Sequence, residues 1–468
     1  FFKQKTAYEI KECDWSSDVC SSDLFYQSAA LAGLIALLAA TTLFPNLSAS
    51  AANPKSGAKC SPTGSTAEYK GLKFTCIKSG SKNIWDKGVK IPAAATPSNS
   101  PAQNSSALSD TSKCKLKIAT NRGDVAIGGF PRYSIRLKST GVVNAKVIMV
   151  DFPDAPANKT PQQAFAMISK ADQLFSEVSY GRFTYKFDPV FKWYRMSKTS
   201  KSYAPLTKSF DNHFAYISEA IKLADPDVDF NGTDSFIILA NPDADGLGMA
   251  GPAFSPNDKN WGIKVDGTVL TNGATSAFDL NNWGYIWLNH EITHTLGLVD
   301  LYAFDGITSD YWSIHRYVGQ FSYMGFSSLE SNSPGLLAWE RWLLGWLDDN
   351  QIVCSESGSA EQKITPIENS GGIKAVIVPI SNRKVIVVES RRAIGLDKNT
   401  IKSGALVYTV DAGIESGFGP VKVFPAIDSD LKKLRSTLAA GEKVSVEGFT
   451  ITVKTADSSG DVISVVKN

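Results

Sequence analysis

Apolar residues recur with two different periods along the middle of the chain. Short runs rich in Val, Ile and Phe indicate strands, and longer stretches with apolar residues three or four positions apart indicate helices. The predicted strands are 146–152, 179–187 and 235–240, and the predicted helices are 161–178 and 211–224. Strands that alternate with helices are typical of an α/β arrangement, which we expect before residue 282.

From about residue 352 the pattern changes to short strands with no helices between them. They are rich in Val and Ile and are predicted at 373–381, 384–391, 404–411, 443–446 and 449–455. Closely spaced strands separated by turn residues favour a β-sandwich-like domain. A tryptophan-rich segment, 334–346, precedes them and is predicted to be a packing helix.

The helical stretch at 282–302 carries the candidate chemistry. His290, Glu291 and His294 form the pattern His-Glu-x-x-His in a chain that has four histidines. Residues four apart lie on one helix face, so both imidazoles can bind one metal ion. The carboxylate beside them can take a proton from a metal-bound water, which makes Glu291 the candidate general base. The alternative is a helix with two buried, hydrogen-bonded histidines and no metal.

A catalytic zinc usually has three protein ligands, so a third is expected after this helix. Gly297 can adopt a positive φ and turn the chain back, which would allow Asp300 to reach the metal. This spacing resembles the long metzincin motif, with aspartate in place of the third histidine. Alternatively, Asp300 only caps the turn, and Glu330 or Glu340 is the third ligand, as in thermolysin-like enzymes.

A methionine follows at a position that supports this resemblance. Metzincins have a methionine-containing turn beneath the metal, and Met324 lies 24 residues after Asp300. Its flexible thioether would pack under the imidazoles. Phe326 stands where some metzincins have a tyrosine that contacts the metal or substrate. Tyr323 and His315 are therefore the candidate transition-state partners.

Composition indicates an ordinary globular protein. Of 468 residues, 43% are apolar and 20% charged, and the net charge is +2. These values argue against a disordered chain and against a nucleic-acid partner. The length accommodates two or three domains.

The first 51 residues are expected to lie outside the mature protein. Residues 1–24 resemble translated sequencing-adapter sequence, and their three lysines and five acids do not fit the basic start of a signal peptide. The apolar run at 29–44 is short for a membrane span and precedes a small-x-small motif at 49–51. We therefore expect a signal peptide at 25–51 and secretion of a chain with net charge +4. A retained N-terminal anchor is the alternative.

Four cysteines remain in the mature chain, and an even number in an exported protein predicts two disulfides. Of the three possible pairings we favour Cys60 with Cys76, and Cys114 with Cys354. The first would close a local loop, and the second would join the two ends of the domain that carries the histidines. The alternative is a Cys114 that binds zinc and keeps a precursor latent.

These observations divide the mature chain into four parts. A small cysteine-containing module at 52–90 needs its disulfide because its core is small. A flexible linker rich in Ala, Pro and Ser follows at 91–113. The histidine-bearing domain then occupies 114–351, and the β-rich domain, with a supporting or substrate-docking role, occupies 352–468. The first module is a candidate for cell-wall association.

Another stretch of the chain has part of a calcium-binding pattern. Residues 227–232 resemble the start of an EF-hand loop, with oxygen-bearing side chains at positions 1, 3 and 5 and glycine at position 6. Position 12 is Ile238, however, where a bidentate glutamate is required. We therefore interpret this stretch as a turn and keep Ca²⁺ as a secondary expectation.

Several stretches together resemble the immune-inhibitor-A-type secreted bacterial metalloproteases. They are 150–154, 177–182, 227–230, 290–300, 337–346 and 388–391 with Gly395 and Asp397. The resemblance implies an α+β fold with a metzincin-like zinc protease domain, built from a mixed sheet and an active-site helix, acting on proteins or peptides. It also implies Zn²⁺ at His290, His294 and Asp300, and the family often binds structural calcium.

We expect a monomer. The rival functions are a zinc hydrolase of cell-wall amides and a non-enzymatic wall-binding or adhesion protein with a vestigial site.

Overall fold

The computed structural model describes residues 55–90 (without 62, 64 and 71), 110–117, 129–329, 331, 333–400, 402–425 and 435–468. These residues fall into two compact units, 55–90 and 110–468. The adapter-like segment, the predicted signal peptide and most of the predicted linker lie outside the described residues. Within them, no helix is both long and apolar enough to cross a membrane.

The first unit is a small antiparallel sheet. Its strands are β1 (Thr66–Tyr69), β2 (Leu72–Ser79), β3 (Lys82–Trp85) and β4 (Val89–Lys90). The central strand β2 pairs with the other three. Phe74 and Cys76 are buried, and Cys76 forms the predicted disulfide with Cys60. The disulfide therefore supports a core of very few side chains, as expected for so short a chain.

A mixed five-stranded sheet forms the centre of the second unit. Its strands are β5 (Gly141–Asp151), β6 (Phe183–Arg195), β7 (Ser235–Ala240), β8 (Ala253–Phe254) and β11 (Gly273–Thr275). A separate hairpin consists of β9 (Ile263–Val265) and β10 (Thr268–Leu270). The sheet has the order β6-β5-β7-β11-β8. All its pairs are parallel except that β8 runs antiparallel to β11, so an antiparallel strand forms one edge.

Helices cover both faces of this sheet. They are α1 (Pro161–Ala166), α2 (Ala171–Val178), α3 (Ser200–Tyr203), α4 (Phe210–Ala224), α5 (Asp279–Trp283), α6 (Tyr285–Leu296) and α7 (Ala338–Leu343). Alternate residues of β5 point to opposite faces, as the strand geometry requires. Val147 and Met149 share a core with α2 and α6, whereas Ile148 and Val150 share one with α4.

Two helices are shorter than predicted. The stretch predicted as one helix at 161–178 is divided by a turn at 167–170 into α1 and α2. The tryptophan-rich helix occupies only 338–343, and Gly345 follows it with φ of 74°. A positive φ cannot continue a right-handed helix, so this glycine fixes where the chain leaves the helix.

Two facing sheets make up the last part of the chain. Their strands are β12 (Ile352–Cys354), β13 (Ala360–Ile364), β14 (Ala375–Pro379), β15 (Lys384–Arg391), β16 (Gly404–Asp411), β17 (Val421–Phe424), β18 (Lys443–Val446), β19 (Phe449–Asp457) and β20 (Gly460–Lys467). One sheet has the order β12-β14-β15-β16-β17 and the other β13-β20-β19-β18. Ile386 and Val407 from the first share a core with Ile451 and Ile463 from the second.

The outer face of the first of these sheets packs on the histidine-bearing part. Val387 of β15 and Leu406 of β16 belong to the same core as Ile292 of α6 and Trp339 of α7. The second predicted disulfide, Cys114–Cys354, is also formed here. The core is thus continuous across residue 351, and residues 110–468 form one compact unit. The described residues combine helices with several sheets and therefore have a mixed α+β fold, as predicted.

Candidate metal centre

Helix α6 carries the candidate site, and two glycines define its ends. It begins after Gly284, which has φ of 53°, and ends at Gly297, which has φ of 104°. The N–H of Gly297 donates to the carbonyl of His294, and the N–H of Leu298 donates to that of Thr293. This left-handed cap satisfies the last carbonyls and reverses the chain. The reversal brings the third predicted ligand back to the helix.

The side chains of His290, His294 and Asp300 converge. The two histidine Nε2 atoms are 3.1 Å apart. Asp300 Oδ1 lies 3.1 Å from Nε2 of His290 and 3.3 Å from Nε2 of His294. Ligands about 2.0–2.1 Å from a tetrahedral zinc are separated by about 3.3 Å. The three atoms therefore have the spacing that three ligands of one zinc ion require.

Backbone carbonyls orient both imidazoles. Nδ1 of His290 lies 2.9 Å from the carbonyl oxygen of Tyr323, and Nδ1 of His294 lies 2.9 Å from that of Leu298. A carbonyl only accepts, so Nδ1 must carry the hydrogen in both rings. In the neutral form of each ring, this assignment leaves the lone pair on Nε2, the atom that faces Asp300 and that would bind a metal ion.

The Asp300 carboxylate also interacts electrostatically with the two imidazoles. Burial lowers the pKa of His294, but the Asp300 carboxylate and its hydrogen bond outweigh burial and raise that pKa to about 9. Burial alone would raise the pKa of Asp300, but the two histidines hold it well below its usual range. The site thus favours a negative carboxylate beside a positive charge, which either a proton or a metal cation can provide.

Glu291 lies beside the ligand atoms and against the edge of the central sheet. Ligand atoms of His290, Glu291 and His294 all lie within 4.8 Å of one another. The Oε2 atom of Glu291 accepts a hydrogen bond of 2.7 Å from the backbone N–H of Ala253 in β8. The carboxylate is therefore held between the helix and the antiparallel edge strand.

A second buried carboxylate, which the sequence analysis did not single out, supports this strand. Asp279 accepts hydrogen bonds from the N–H groups of Gly251, Ala277 and Leu280. Burial, reinforced by the charge of Glu291, raises the pKa of Asp279 to about 7. The indole of Trp287 donates to the carbonyl of Gly251. A Cβ at Gly251 would lie 2.3 Å from a backbone oxygen, so glycine is required for this close approach.

The turn that contains Met324 contacts the two segments that carry the ligands. Met324 is fully buried, and its carbonyl accepts from the N–H of Leu301, the residue after Asp300. Its own N–H donates to Ser322 Oγ. The neighbouring carbonyl of Tyr323 contacts His290 Nδ1, so the backbone of this turn contacts both the helix that carries the histidines and the segment that carries Asp300.

The two candidate transition-state partners are buried by other contacts. The Tyr323 hydroxyl is 2.9 Å from Thr293 Oγ1 inside the core. His315 Nδ1 contacts the carbonyl of Gly325, and its ring packs on Phe326. Burial lowers the pKa of His315 to about 4, so the ring is neutral at pH 7.

Tyr302, which the sequence analysis passed over, stacks on His290 with ring centroids 6.2 Å apart. Burial and the nearby charges of Asp300 and Glu291 raise its pKa well above the usual range. Its position two residues after Asp300 is the signal that could have identified it.

The alternative ligands are engaged elsewhere. Glu340 is buried, and its two oxygens accept from Ser322 Oγ and from the N–H of Leu337. Cys114 is held in its disulfide. Glu330 lies outside the described residues. Of the alternative ligands, the two that the structure describes, Glu340 and Cys114, are therefore not grouped with the two histidines.

The EF-hand-like stretch forms a turn between α4 and β7. Asp227 Oδ2 is 2.5 Å from Lys192 Nζ, and this hydrogen bond lowers the pKa of Asp227. Asp229 accepts from the N–H and side-chain amide of Asn231. Ile238 is buried in β7, so the twelfth position of the loop contributes no carboxylate.

Comparisons with known proteins leave the family open. No family profile and no curated protein sequence matches the chain. Among solved structures, the chain is similar to one described as wild type OgpA from Akkermansia muciniphila, at 12% identity over 62% of this chain and 93% of that chain, with a TM-score of 0.26. So low a score carries no argument about fold or function.

Proposed function

We propose that the protein is a zinc-dependent endopeptidase that hydrolyses peptide bonds of proteins. The observation that carries the proposal is the triangle of His290, His294 and Asp300 atoms at 3.1–3.3 Å, with Glu291 beside it. The Met324 turn, whose backbone contacts His290 and the segment that carries Asp300, supports the metzincin-like, immune-inhibitor-A-type assignment. Two disulfides support a site of action in an oxidising compartment, in line with secretion.

The residues of the site have separate tasks. A zinc ion held by His290, His294 and Asp300 would lower the pKa of a water molecule towards about 7 and polarise the substrate carbonyl. Glu291 accepts the proton of the attacking water and later delivers it to the nitrogen of the leaving amine. The Ala253 N–H fixes one oxygen of that carboxylate, which orients it for both transfers.

We expect the substrate to bind along the edge strand. The resemblance to metzincins implies a strand that borders the cleft and pairs with an extended peptide. Here that edge is β8, and Ala253 on it contacts Glu291. A substrate that hydrogen-bonds to such an edge would be positioned mainly through its backbone, which is the recognition mode known as strand addition.

Cleavage of a mixed peptide library tests the proposal. We expect internal cuts that a zinc chelator abolishes and that Glu291→Gln slows by about 10²–10⁴-fold, the usual contribution of a general base. Glu177→Gln is the matched control, because Glu177 is exposed on α2 and should leave cleavage unchanged. Cuts that survive chelation, or that Glu291→Gln leaves near the wild-type rate, would contradict the proposal.

A further inference from the structure

The loop between β16 and β17, residues 412–420, contacts the segment that carries the third predicted ligand. The backbone N–H of Asp300 donates to Ser416 Oγ over 3.1 Å. The backbone N–H of Gly417 donates to the carbonyl of Asp300 over 3.2 Å. Two consecutive residues of the loop thus bind the peptide groups on both sides of the Asp300 Cα, the atom from which the carboxylate extends.

The contact continues beyond Asp300. The N–H of Phe304 donates to the carbonyl of Gly417 over 2.9 Å, and the rings of Phe304 and Phe418 pack edge to face at 6.1 Å. Gly417 has φ of 78°, and a Cβ on it would lie 2.2 Å from the Phe304 ring. Only glycine allows both this conformation and this approach. The loop and the ligand segment therefore fit closely.

The base of the loop is anchored on the same side. The N–H of Val423 in β17 donates to the carbonyl of Tyr317 over 2.9 Å. The Lys422 ammonium lies 5.4 Å from the centre of the Tyr317 ring. The N–H of Asp411 donates to the carbonyl of Pro420 across the loop over 2.8 Å. These contacts hold the loop against the chain between the ligand and the Met324 turn.

We propose that Ser416 and Gly417 are positioning residues for Asp300, so that the C-terminal sheet completes the metal centre. This inference rests on the proposed function, because it requires Asp300 to be a zinc ligand. Asp300 lies between helix α6 and the Met324 turn, outside any helix or strand. Residues that orient a ligand typically change metal affinity about 10–100-fold when they are replaced. The C-terminal sheet would then orient a metal ligand in addition to supporting the fold.

Zinc affinity, measured on the full chain by competition with a chromogenic chelator, tests the inference. We expect Ser416→Ala to weaken zinc binding about 10-fold and Gly417→Ala about 10–100-fold. Ser416→Thr keeps the hydroxyl acceptor and should bind zinc like the wild type. Asp300→Ala is the reference for loss of the ligand itself.

Gly371→Ala is the matched control for Gly417→Ala. Both glycines have φ of 78°, so alanine strains the backbone alike at either position, but a Cβ at Gly371 meets no atom within 4 Å. Zinc affinity should therefore fall only in Gly417→Ala. Adding Phe304→Leu to Gly417→Ala removes the opposing ring and should restore part of the affinity. Thermal unfolding of the metal-free variants separates a loss of ligand position from a loss of folding.

The outcomes distinguish the inference from the function on which it rests. If Asp300→Ala loses zinc while Ser416→Ala and Gly417→Ala bind it as tightly as the wild type, the loop does not position Asp300, and the proposed function stands. If the wild type binds no zinc, both fail. If Gly417→Ala does not fold, Ser416→Ala alone decides, because its partly buried side chain leaves room for alanine.

Discussion

The buried carboxyl of Glu340 should make the stability of the protein depend on pH, and Glu340→Gln should remove that dependence. Its Oε2 accepts from the N–H of Leu337 over 2.7 Å, and its Oε1 accepts from Ser322 Oγ over 3.1 Å. Glutamine can keep both contacts, because its oxygen accepts from Leu337 and its amide donates to the Ser322 hydroxyl. The substitution therefore removes ionisation with little change in packing.

The size of the effect follows from the shift in pKa. Burial, with a contribution from nearby Glu389, raises the pKa of Glu340 from 4.5 to about 7. The folded state therefore keeps this proton where the unfolded chain has released it. The stability that this proton contributes is present below pH 4.5 and is lost as pH rises through 7. Between pH 5 and pH 8 the loss should be about 2–3 kcal/mol.

Urea unfolding at pH 5, 6, 7 and 8 in the presence of a chelator measures this difference. The free energy of unfolding of Glu340→Gln, relative to the wild type, should increase by about 2–3 kcal/mol over that range, and the other titrating groups cancel in the comparison. Glu361→Gln, at an exposed position of β13, should follow the wild type. Parallel pH profiles for Glu340→Gln and the wild type would refute the argument.

The other predictions concern the metal site, the long disulfide and Tyr323. His290→Ala should lose zinc, whereas Glu291→Gln should retain one zinc per chain by metal analysis and lose cleavage, because only the first removes a ligand. Replacing Cys114 and Cys354 together by serine should lower the free energy of unfolding, measured in denaturant, by up to about 5 kcal/mol, because the disulfide closes a loop with a sequence separation of 240. An unchanged free energy of unfolding would contradict a structural role for this disulfide. Tyr323→Phe should lower stability by about 1–2 kcal/mol, because it removes the hydrogen bond with Thr293, but should leave kcat/KM unchanged. A large fall in kcat/KM would instead indicate that Tyr323 is a transition-state partner.

Local sequence signals located the main helix and most strands well. The spacing of His290 and His294 and the glycine at 297 act within a few residues of the chain, so their consequences could be worked out without a structure. The predicted strand 179–187 begins only at Phe183, because Tyr180 and Gly181 adopt positive φ in a turn that its apolar residues did not reveal. The alternation of apolar and polar residues alone does not reveal such a turn.

Contacts between distant parts of the chain could not be predicted in this way. Ser416 and Gly417 reach Asp300 from more than a hundred positions along the chain, and no periodicity connects them. In the sequence, Asp279 is an ordinary acidic residue at the start of a helix. Only the structure shows that its side chain accepts a hydrogen bond from the N–H of Gly251. The core that joins α6 to β15 and β16 crosses the boundary that the change in pattern at residue 352 suggested.

A zinc titration of the metal-free protein tests the central claim most directly. Bound zinc and the rate of internal peptide cleavage would be followed together as the ion is added. We predict that both rise in parallel and saturate at one ion per chain, and that His290→Ala shows neither. Full cleavage by the metal-free protein, or zinc binding that is unaffected by His290→Ala, would contradict the assignment of His290, His294 and Asp300 as the ligands of a catalytic zinc.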